Sequence, residues 1–292
     1  MAATTQMRYV EPGAFLYSTL SPARVTALAD EFRAATPCPY VEIEDFLSLD
    51  PAEVLGAFPD LDWPFWSQFR NAYQHQKMFC NDIDRIPPSL AKLIVELCSP
   101  KFLQFLEAVT GITGLIPDPY LEGGGLHCSG PGGVLAPHTD FHEYKRLHLF
   151  RRANVLIYLN EIWEPQFGGC LEFYNRDSDV PARTVVPTWG KCVIFRTDDQ
   201  SVHGFSKPIV GQRWRRSIAL YYYTSEDTRF FSGDADTHWK QHAAVSTVGN
   251  FRLALYKGLV FGSRCFSRVA HRVNPHLGSR LVPVLRVNSK DQ

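Results

Sequence analysis

Apolar positions recur with a helical period in the first part of the chain. One apolar stripe follows Ser21-Pro22 and consists of Val25, Leu28, Ala29 and Phe32. A second stripe follows Ser99-Pro100 and stops before Gly111. Ser at the N-cap with Pro at the first helical position favours a helix start, and Gly favours its end. With a shorter helix predicted after Asp50-Pro51, residues 1–116 are expected to form an N-terminal helical support region.

The pattern changes after residue 116, where apolar runs become short and rich in β-branched residues. Residues 153–159 and 217–223 each read as a single strand. Residues 184–186 and 191–195 flank a turn-like segment at 187–190, which predicts a β-hairpin. Many short strands separated by turn signals are typical of an antiparallel sandwich or barrel. The fold class expected is therefore α+β, with a β-rich core over residues 117–230.

The C-terminal segment is strongly basic. Residues 252–292 contain eight Lys and Arg residues against a single Asp, a net charge of +7. Bases alternate with apolar residues over 251–273, which permits a basic amphipathic helix. Two interpretations stay open: a terminal helix packed on the helical layer with a solvated basic face, or a segment that presents its bases to an acidic partner. Residues 231–292 are thus expected to be a basic extension of one integrated catalytic domain.

Composition and charge exclude several classes of protein. Hydrophobic residues make up 45% of the 292 positions, and 30 Lys and Arg balance 30 Asp and Glu, which argues against a nucleic-acid-binding surface. No apolar run approaches the roughly 18 to 20 residues of a membrane helix, and Glu11 and Pro12 interrupt the N-terminal segment where a signal peptide would be apolar. The seven cysteines form no C-x-x-C pair, so we expect reduced thiols and a soluble, cytoplasmic protein without a transmembrane segment.

Candidate chemistry centres on a His-x-Asp pair, His138 and Asp140. Two residues apart on a strand places both side chains on one face, where they suit a divalent metal, although a structural His–Asp hydrogen bond explains the pair equally well. His203 follows after several predicted strands. Two His and one carboxylate on a β scaffold form a facial triad with open metal positions, typical of non-haem Fe(II) oxygenases. His142 is a competing ligand, but it lies beyond Asp140 towards a loop, so we prefer His138.

An arginine at the start of the last predicted strand could hold a dicarboxylic acid. Arg215 and Arg216 compete for this role. Alternation along a strand puts Arg215 and Ser217 on one face and Arg216 on the other. The face that carries Arg215 and Ser217 is polar at the start of the strand and has a small residue further along, which suits an anionic cosubstrate. A guanidinium binds a carboxylate with two hydrogen bonds. We therefore predict Arg215.

Taken together, these motifs resemble the Fe(II)- and 2-oxoglutarate-dependent dioxygenases, and within them the prolyl-4-hydroxylase-like branch. The resemblance covers about a third of the chain, over residues 119–223. The stretches that carry it are 138–141, 151–160, Trp163, 168–173, His203 and Arg215 with Ser217. The resemblance implies a double-stranded β-helix, or jelly-roll, core between an N-terminal helical layer and a C-terminal helical extension.

The resemblance also implies residue roles and cofactors. His138, Asp140 and His203 match the iron ligands, and Arg215 matches the residue that pairs with the C5 carboxylate of 2-oxoglutarate. Tyr158 and Ser217 match positions that add hydrogen bonds to that carboxylate. Cys128 falls where a cosubstrate-facing aromatic residue often lies, which leaves the C1 end without an assigned contact. The implied cofactors are Fe(II), 2-oxoglutarate as cosubstrate and O2, with ascorbate to maintain Fe(II).

The function implied is hydroxylation of a C–H bond coupled to oxidative decarboxylation of 2-oxoglutarate. Asp140 at the second ligand position argues against the halogenating variants, which leave that position open for a halide. Two substrate classes remain open: a prolyl residue of a peptide or a free amino acid, and a small biosynthetic metabolite such as a sugar or a lipid-linked intermediate. A non-catalytic jelly-roll binding protein is the alternative from a different class.

Overall fold

The computed structural model describes residues 14–69, 73–227, 238–240 and 246–273. The chain divides into two compact units, Met1–Ala244 and Val245–Gln292. The second unit contains one described element, the helix α5 (Thr247–Val273). The predicted basic residues beyond it, Arg280, Arg286 and Lys290, lie outside the described residues. None of the described helices is both long and apolar enough to cross a membrane.

The first unit contains four described helices, and three of them begin at the capping residues Ser21, Asp50 and Ser99. The four are α1 (Pro22–Ala34), α2 (Pro51–Ala57), α3 (Pro88–Leu97) and α4 (Pro100–Thr110). Ser21 and Ser99 accept hydrogen bonds from the backbone N–H of Arg24 and Phe102, which satisfies free donors at the helix starts. Gly111 ends α4 in the left-handed conformation that glycine adopts without strain. These helices bury their apolar faces in the main hydrophobic core with one face of the sheet.

The strands of the first unit form one curled antiparallel sheet. Its main strands, in sheet order, are β1 (Tyr40–Ile43), β10 (Cys192–Arg196), β7 (Leu149–Tyr158), β12 (Arg215–Thr224), β5 (Gly125–Thr139), β11 (Val202–Phe205), β8 (Leu171–Tyr174) and β9 (Pro181–Val185). The shorter or flanking strands are β2 (Ser67–Phe69), β3 (Gln74–Cys80), β4 (Ile116–Pro117), β6 (Glu143–Tyr144) and β13 (His238–Trp239). This architecture confirms the predicted α+β jelly-roll class.

The long strand β5 joins the two halves of the sheet. Its first residues, from Gly125 to Ser129, pair with β12, whereas Leu135 and His138 pair with β11. The strand therefore runs from one half of the jelly roll into the other. The strand β3 pairs with β5 at Leu126–Ser129 and again at Val134 and Leu135. The cavity described below opens between the facing residues of the two halves.

Two features of the chain differ from the sequence prediction. The predicted hairpin at 184–195 is wrong, because β9 pairs with β8 and β10 pairs with β1 and β7. The intervening residues 187–190 cross between the halves, and Gly190 donates its N–H to the Tyr158 carbonyl. The N-terminal region is also not wholly helical, since β1 and β3 join the sheet. The cysteine prediction is confirmed: all seven are free thiols, and five of them are buried.

Candidate active site

Three side chains with metal-binding atoms converge where β5 ends beside β11. His138 is in β5, Asp140 follows directly after it, and His203 is in β11 at the position paired with His138. The potential ligand atoms of the three residues all lie within 4.8 Å of one another. The Nε2 atoms of His138 and His203 lie 3.5 and 3.7 Å from the two carboxylate oxygens of Asp140. The structure thus brings together the three residues that the sequence suggested.

The hydrogen bonds of the two histidines leave both Nε2 atoms with free lone pairs. The Nδ1–H of His138 donates to the Ala136 carbonyl at 2.9 Å, and that of His203 donates to the Ser201 carbonyl at 2.9 Å. Burial lowers the pKa of His203 to about 4 despite the nearby Asp140 carboxylate, which keeps that imidazole neutral. Two Nε2 lone pairs and a carboxylate that face each other repel unless a cation or a proton lies between them. This donor set fits a divalent metal such as Fe(II).

Asp140 is held by an arginine and an asparagine from β7. The Arg151 guanidinium lies 3.1 Å from one carboxylate oxygen, and Asn154 donates to the other at 2.6 Å. Burial alone would raise the pKa of Asp140, but the positive charge of Arg151 holds it well below its ordinary value. Arg151 is itself buried between the rings of Phe141 and Tyr221, which lie 3.9 and 3.5 Å from its guanidinium carbon. The carboxylate is therefore ionised and fixed in orientation.

A cavity of about 520 Å³ extends from the triad. Arg215 lines it at one end and is 6% exposed. Its Nε donates to the Gly169 carbonyl at 2.8 Å, and one terminal nitrogen donates to the Tyr158 hydroxyl at 3.2 Å. These bonds fix the plane of the guanidinium. Ser217, two residues along the same strand, also lines the cavity.

Strand alternation separates the cavity-lining residues from their neighbours. Arg216 lies on the opposite face of β12, with its guanidinium carbon 5.5 Å from the centre of the Phe58 ring. Tyr158 is fully buried and is not among the residues that line the cavity; it contacts Arg215 from behind. Cys128 is also fully buried, in the main hydrophobic core rather than in the cavity. Ser129, the next residue on β5, lines the cavity instead.

The competing ligand His142 lies elsewhere. Its Nε2 is 2.6 Å from an Asp227 carboxylate oxygen. It is not part of the triad and does not line the cavity. This placement agrees with the preference for His138.

Several cavity residues were not among those predicted from the sequence. They are Gln74 and Lys77 of β3, His127 of β5, Arg151 and Asn154 of β7, and Trp239 of β13. For β7 a signal existed, because two arginines and an asparagine interrupt a strand that is otherwise mainly apolar. For β3 there was none, since its pairing with β5 brings together residues about 50 positions apart along the chain.

Lys77 gives the cavity a second positive charge near Arg215. Both residues pair with Ser129, one from each side of β5. Burial and the nearby Arg215 together lower the pKa of Lys77 to about 8, against the opposing effect of Asp140. Burial, Lys77 and Arg215 also keep the pKa of His127 well below its ordinary value. An anion bound here would offset this excess of positive charge.

Residues 124–224 match the family model described as the 2OG-Fe(II) oxygenase superfamily. This segment is similar to a 2OG-Fe(II) oxygenase domain. The match confirms the resemblance predicted from the sequence. It includes all six residues proposed for metal and cosubstrate binding, and Fe(II) and 2-oxoglutarate are the cofactors of this class of dioxygenases.

One curated relative shows sequence similarity to part of this chain. The chain is 30% identical over 83 residues to the mouse (Mus musculus) prolyl 3-hydroxylase OGFOD1. The matched stretch is 27% of this chain and 15% of the relative, so the chain spans only a small part of that protein's length. The similarity agrees with the expected prolyl-hydroxylase-like branch.

Solved structures also align with a large part of the chain. A Pseudomonas putida prolyl-4-hydroxylase aligns with a TM-score of 0.48 and 22% identity, covering 68% of this chain and 98% of that one. HygX from Streptomyces hygroscopicus, solved with nickel, 2-oxoglutarate and hygromycin B bound, aligns with a TM-score of 0.48 and 13% identity, covering 76% and 98%.

Proposed function

We propose that the protein is an Fe(II)- and 2-oxoglutarate-dependent dioxygenase that uses His138, Asp140 and His203 as its metal ligands. The observation that carries this proposal is the convergence of two Nε2 lone pairs and one ionised carboxylate in the wall of a cavity. Contacts to the three ligands support the proposal. The carbonyls of Ala136 and Ser201 set the histidine tautomers. Arg151 and Asn154 orient the carboxylate of Asp140.

Arg215 is the proposed anchor for the far carboxylate of 2-oxoglutarate. Its guanidinium is held in place by Gly169 and Tyr158, so little side-chain entropy is lost on binding. Ser217 can donate a hydrogen bond to the same carboxylate, and Tyr158 acts by positioning Arg215. Lys77 adds attraction for the dianion from the opposite side of β5.

Iron and 2-oxoglutarate, when bound, supply the oxidising chemistry that hydroxylates a C–H bond. The chain holds and orients the reactants. Leu156, Leu171 and Phe195 give the cavity an apolar wall that excludes water near the metal ligands. Asn154 offers a buried carbonyl oxygen, Oδ1, that has no hydrogen-bond partner within the described residues and is available to a substrate donor.

For the substrate we propose a prolyl residue of a peptide or protein, or a free amino acid. Similarity to a prolyl 3-hydroxylase supports this class. A small biosynthetic metabolite is the second candidate, and a specific observation favours it. Beyond the triad the cavity is lined by polar side chains, including Gln74, Asn81 and Glu122, which suit a substrate with several hydroxyl or amino groups.

Metal binding is tested with His203→Ala. We expect loss of stoichiometric Fe(II) and of succinate formation from 2-oxoglutarate, because two ligands no longer complete a facial triad. His75→Ala, at an exposed position of β3, is the matched control and should retain both. Full turnover in His203→Ala would show that the ligand assignment is wrong, and no turnover in the wild-type protein with any substrate would favour a non-catalytic jelly roll.

Cosubstrate binding is tested by comparing Arg215→Ala with Arg216→Ala. Loss of Arg215 should weaken 2-oxoglutarate binding by about 2 to 4 kcal/mol, because it truncates one partner of a buried charge pair. Arg216→Ala should cost much less, since this side chain lies on the other face of β12. Calorimetric titration of the manganese-loaded proteins measures both constants. A reversed order would mean that Arg216 is the anchor.

Analysis of the reaction products distinguishes the two substrate classes. Proline-containing peptides and free amino acids are incubated with the iron-loaded enzyme, and a gain of one oxygen atom is sought by mass spectrometry. In parallel, metabolite extracts with and without enzyme are compared. Oxidation confined to extract metabolites would support the second candidate and reject the prolyl substrate.

A further inference from the structure

The helix α5 carries an exposed apolar stripe along its length. The stripe consists of Val248, Phe251, Leu255, Leu259, Phe266 and Val269. These six side chains are between 54% and 78% exposed. At about 100° per residue they lie within an arc of about 80°, and at about 1.5 Å per residue they extend over roughly 32 Å. Exposure of such a continuous apolar surface marks an interaction site.

The other side of α5 is basic. The helix contains five Lys and Arg residues and no Asp or Glu. Four of the five positions, 257, 264, 268 and 272, fall within an arc of about 80° opposite the apolar stripe. Arg252 is exposed beside the stripe, and Lys257 and Arg272 are exposed as well. The partner of this helix must therefore combine an apolar phase with negative charge.

We propose that α5 binds the surface of a membrane that contains anionic lipids. A helix with an apolar face, a basic face and low overall hydrophobicity lies in the interface between headgroups and acyl chains. Lys and Arg then interact with anionic headgroups while their aliphatic stems cover apolar surface. The proposal concerns binding at the membrane surface only, because α5 is not apolar enough to cross a bilayer.

The length of the apolar stripe distinguishes a membrane from a protein groove. Peptide helices that dock in grooves use anchors at i, i+3, i+4 and i+7, about two helical turns. The stripe of α5 continues for about six turns, which fits an extended planar surface. A second copy of the chain is disfavoured because two helices of charge +5 without acidic residues would repel each other.

Vesicle binding of the full chain tests this proposal. We expect cosedimentation with vesicles of phosphatidylcholine and phosphatidylglycerol, weaker binding as salt increases, and little binding to phosphatidylcholine alone. Phe266→Gln should lower the partition coefficient roughly tenfold, because one phenyl ring no longer enters the apolar phase. Gln keeps helix propensity, so the helix itself should persist.

Phe261→Gln is the matched control. Phe261 is 67% exposed, compared with 78% for Phe266, but its position is about 140° away, on the basic side. This variant should change vesicle binding by about twofold or less. Circular dichroism and succinate formation check that both variants remain folded.

Three outcomes would overturn the proposal. One is absence of binding to the anionic vesicles by the folded wild-type chain. Another is binding to polyglutamate in preference to vesicles and unaffected by Phe266→Gln, which would assign α5 to an acidic polypeptide. The third is a dimer, seen by sedimentation, that Phe266→Gln dissociates, which would assign the stripe to a second copy. None of these outcomes depends on the oxygenase reaction.

Discussion

Arg151 is a fully buried charge whose main ionic partner is a proposed metal ligand. Its guanidinium neutralises Asp140 at 3.1 Å and is enclosed by two aromatic rings. Removing one member of a buried ion pair leaves an uncompensated charge, which costs more than the pair contributes. Arg151 therefore stabilises the metal-free protein in particular.

We predict that Arg151→Gln lowers the free energy of unfolding of the metal-free protein by about 3 kcal/mol. A divalent metal supplies the missing positive charge, so added Mn²⁺ should stabilise the variant more than the wild type. Arg152→Gln, the next residue, is the control and should cost about 1 kcal/mol or less, because its side-chain hydrogen bond goes to the neutral Thr224 hydroxyl and not to a buried carboxylate. Denaturant unfolding with and without metal measures these changes. Equal metal stabilisation in all three proteins would contradict the compensation argument.

Lys77 predicts a pH dependence of cosubstrate affinity. Its pKa of about 8 means that the ammonium is charged below this pH and loses its charge above it. Binding of the 2-oxoglutarate dianion favours the charged form and so raises the pKa in the complex. Affinity should thus be constant below about pH 8 and fall by up to about tenfold per pH unit above it.

The comparison variant is Lys77→Met, which should bind 2-oxoglutarate more weakly below pH 8 and lack this decline. Lys92→Met, at an exposed position of α3, should behave like wild type. Calorimetry of the manganese-loaded proteins across this pH range is the measurement. If Lys77→Met alters the KM for the organic substrate and leaves cosubstrate affinity unchanged, Lys77 faces the substrate instead.

At the level of elements, the close approach of β5 to β3 depends on one glycine. Gly125 has a φ of +92°, and a Cβ there would lie 2.1 Å from the carbonyl oxygen of Cys80. Because β3 carries Lys77 and Gln74 into the cavity, any displacement of β3 also moves the proposed cosubstrate site.

We expect Gly125→Ala to destabilise the protein by about 3 kcal/mol or more, from backbone strain and the clash together. Gly132→Ala separates the two effects, since Gly132 has a φ of +75° but open space around its Cβ position. That variant should cost about 1 to 2 kcal/mol. Thermal unfolding compares them, and a loss in Gly125→Ala no larger than in Gly132→Ala would show that β3 adjusts without cost.

For the whole molecule, all six proposed binding residues belong to the unit Met1–Ala244. A chain that ends at Ala244 should therefore fold cooperatively and form succinate at a rate similar to the full chain. It should also lose vesicle binding, because α5 is removed. Circular dichroism, turnover and cosedimentation on one preparation test these points together. A truncated chain that does not fold would mean that the second unit is structural, as the first interpretation of the basic segment holds.

Local patterns in the sequence were sufficient for several features of the fold and candidate site. The starts of α1 and α4 depend on a capping serine and the proline that follows it, so neighbouring residues in the sequence are enough to predict them. The faces of Arg215 and Arg216 follow from the two-residue period of a strand. The approach of His203 to His138 was suggested by residue type and the family resemblance.

Tertiary structure alone decided which strands pair. It separated β9 from β10 and brought Lys77 of β3 into the wall of the cavity. It also buried the Cys128 side chain in the main hydrophobic core and placed the Tyr158 hydroxyl against Arg215, outside the cavity lining. The physical reason is that a period of two specifies which residues share a face but not which strand lies alongside. Pairing depends on contacts between residues far apart in the chain, and their free energy exists only once the whole sheet has closed.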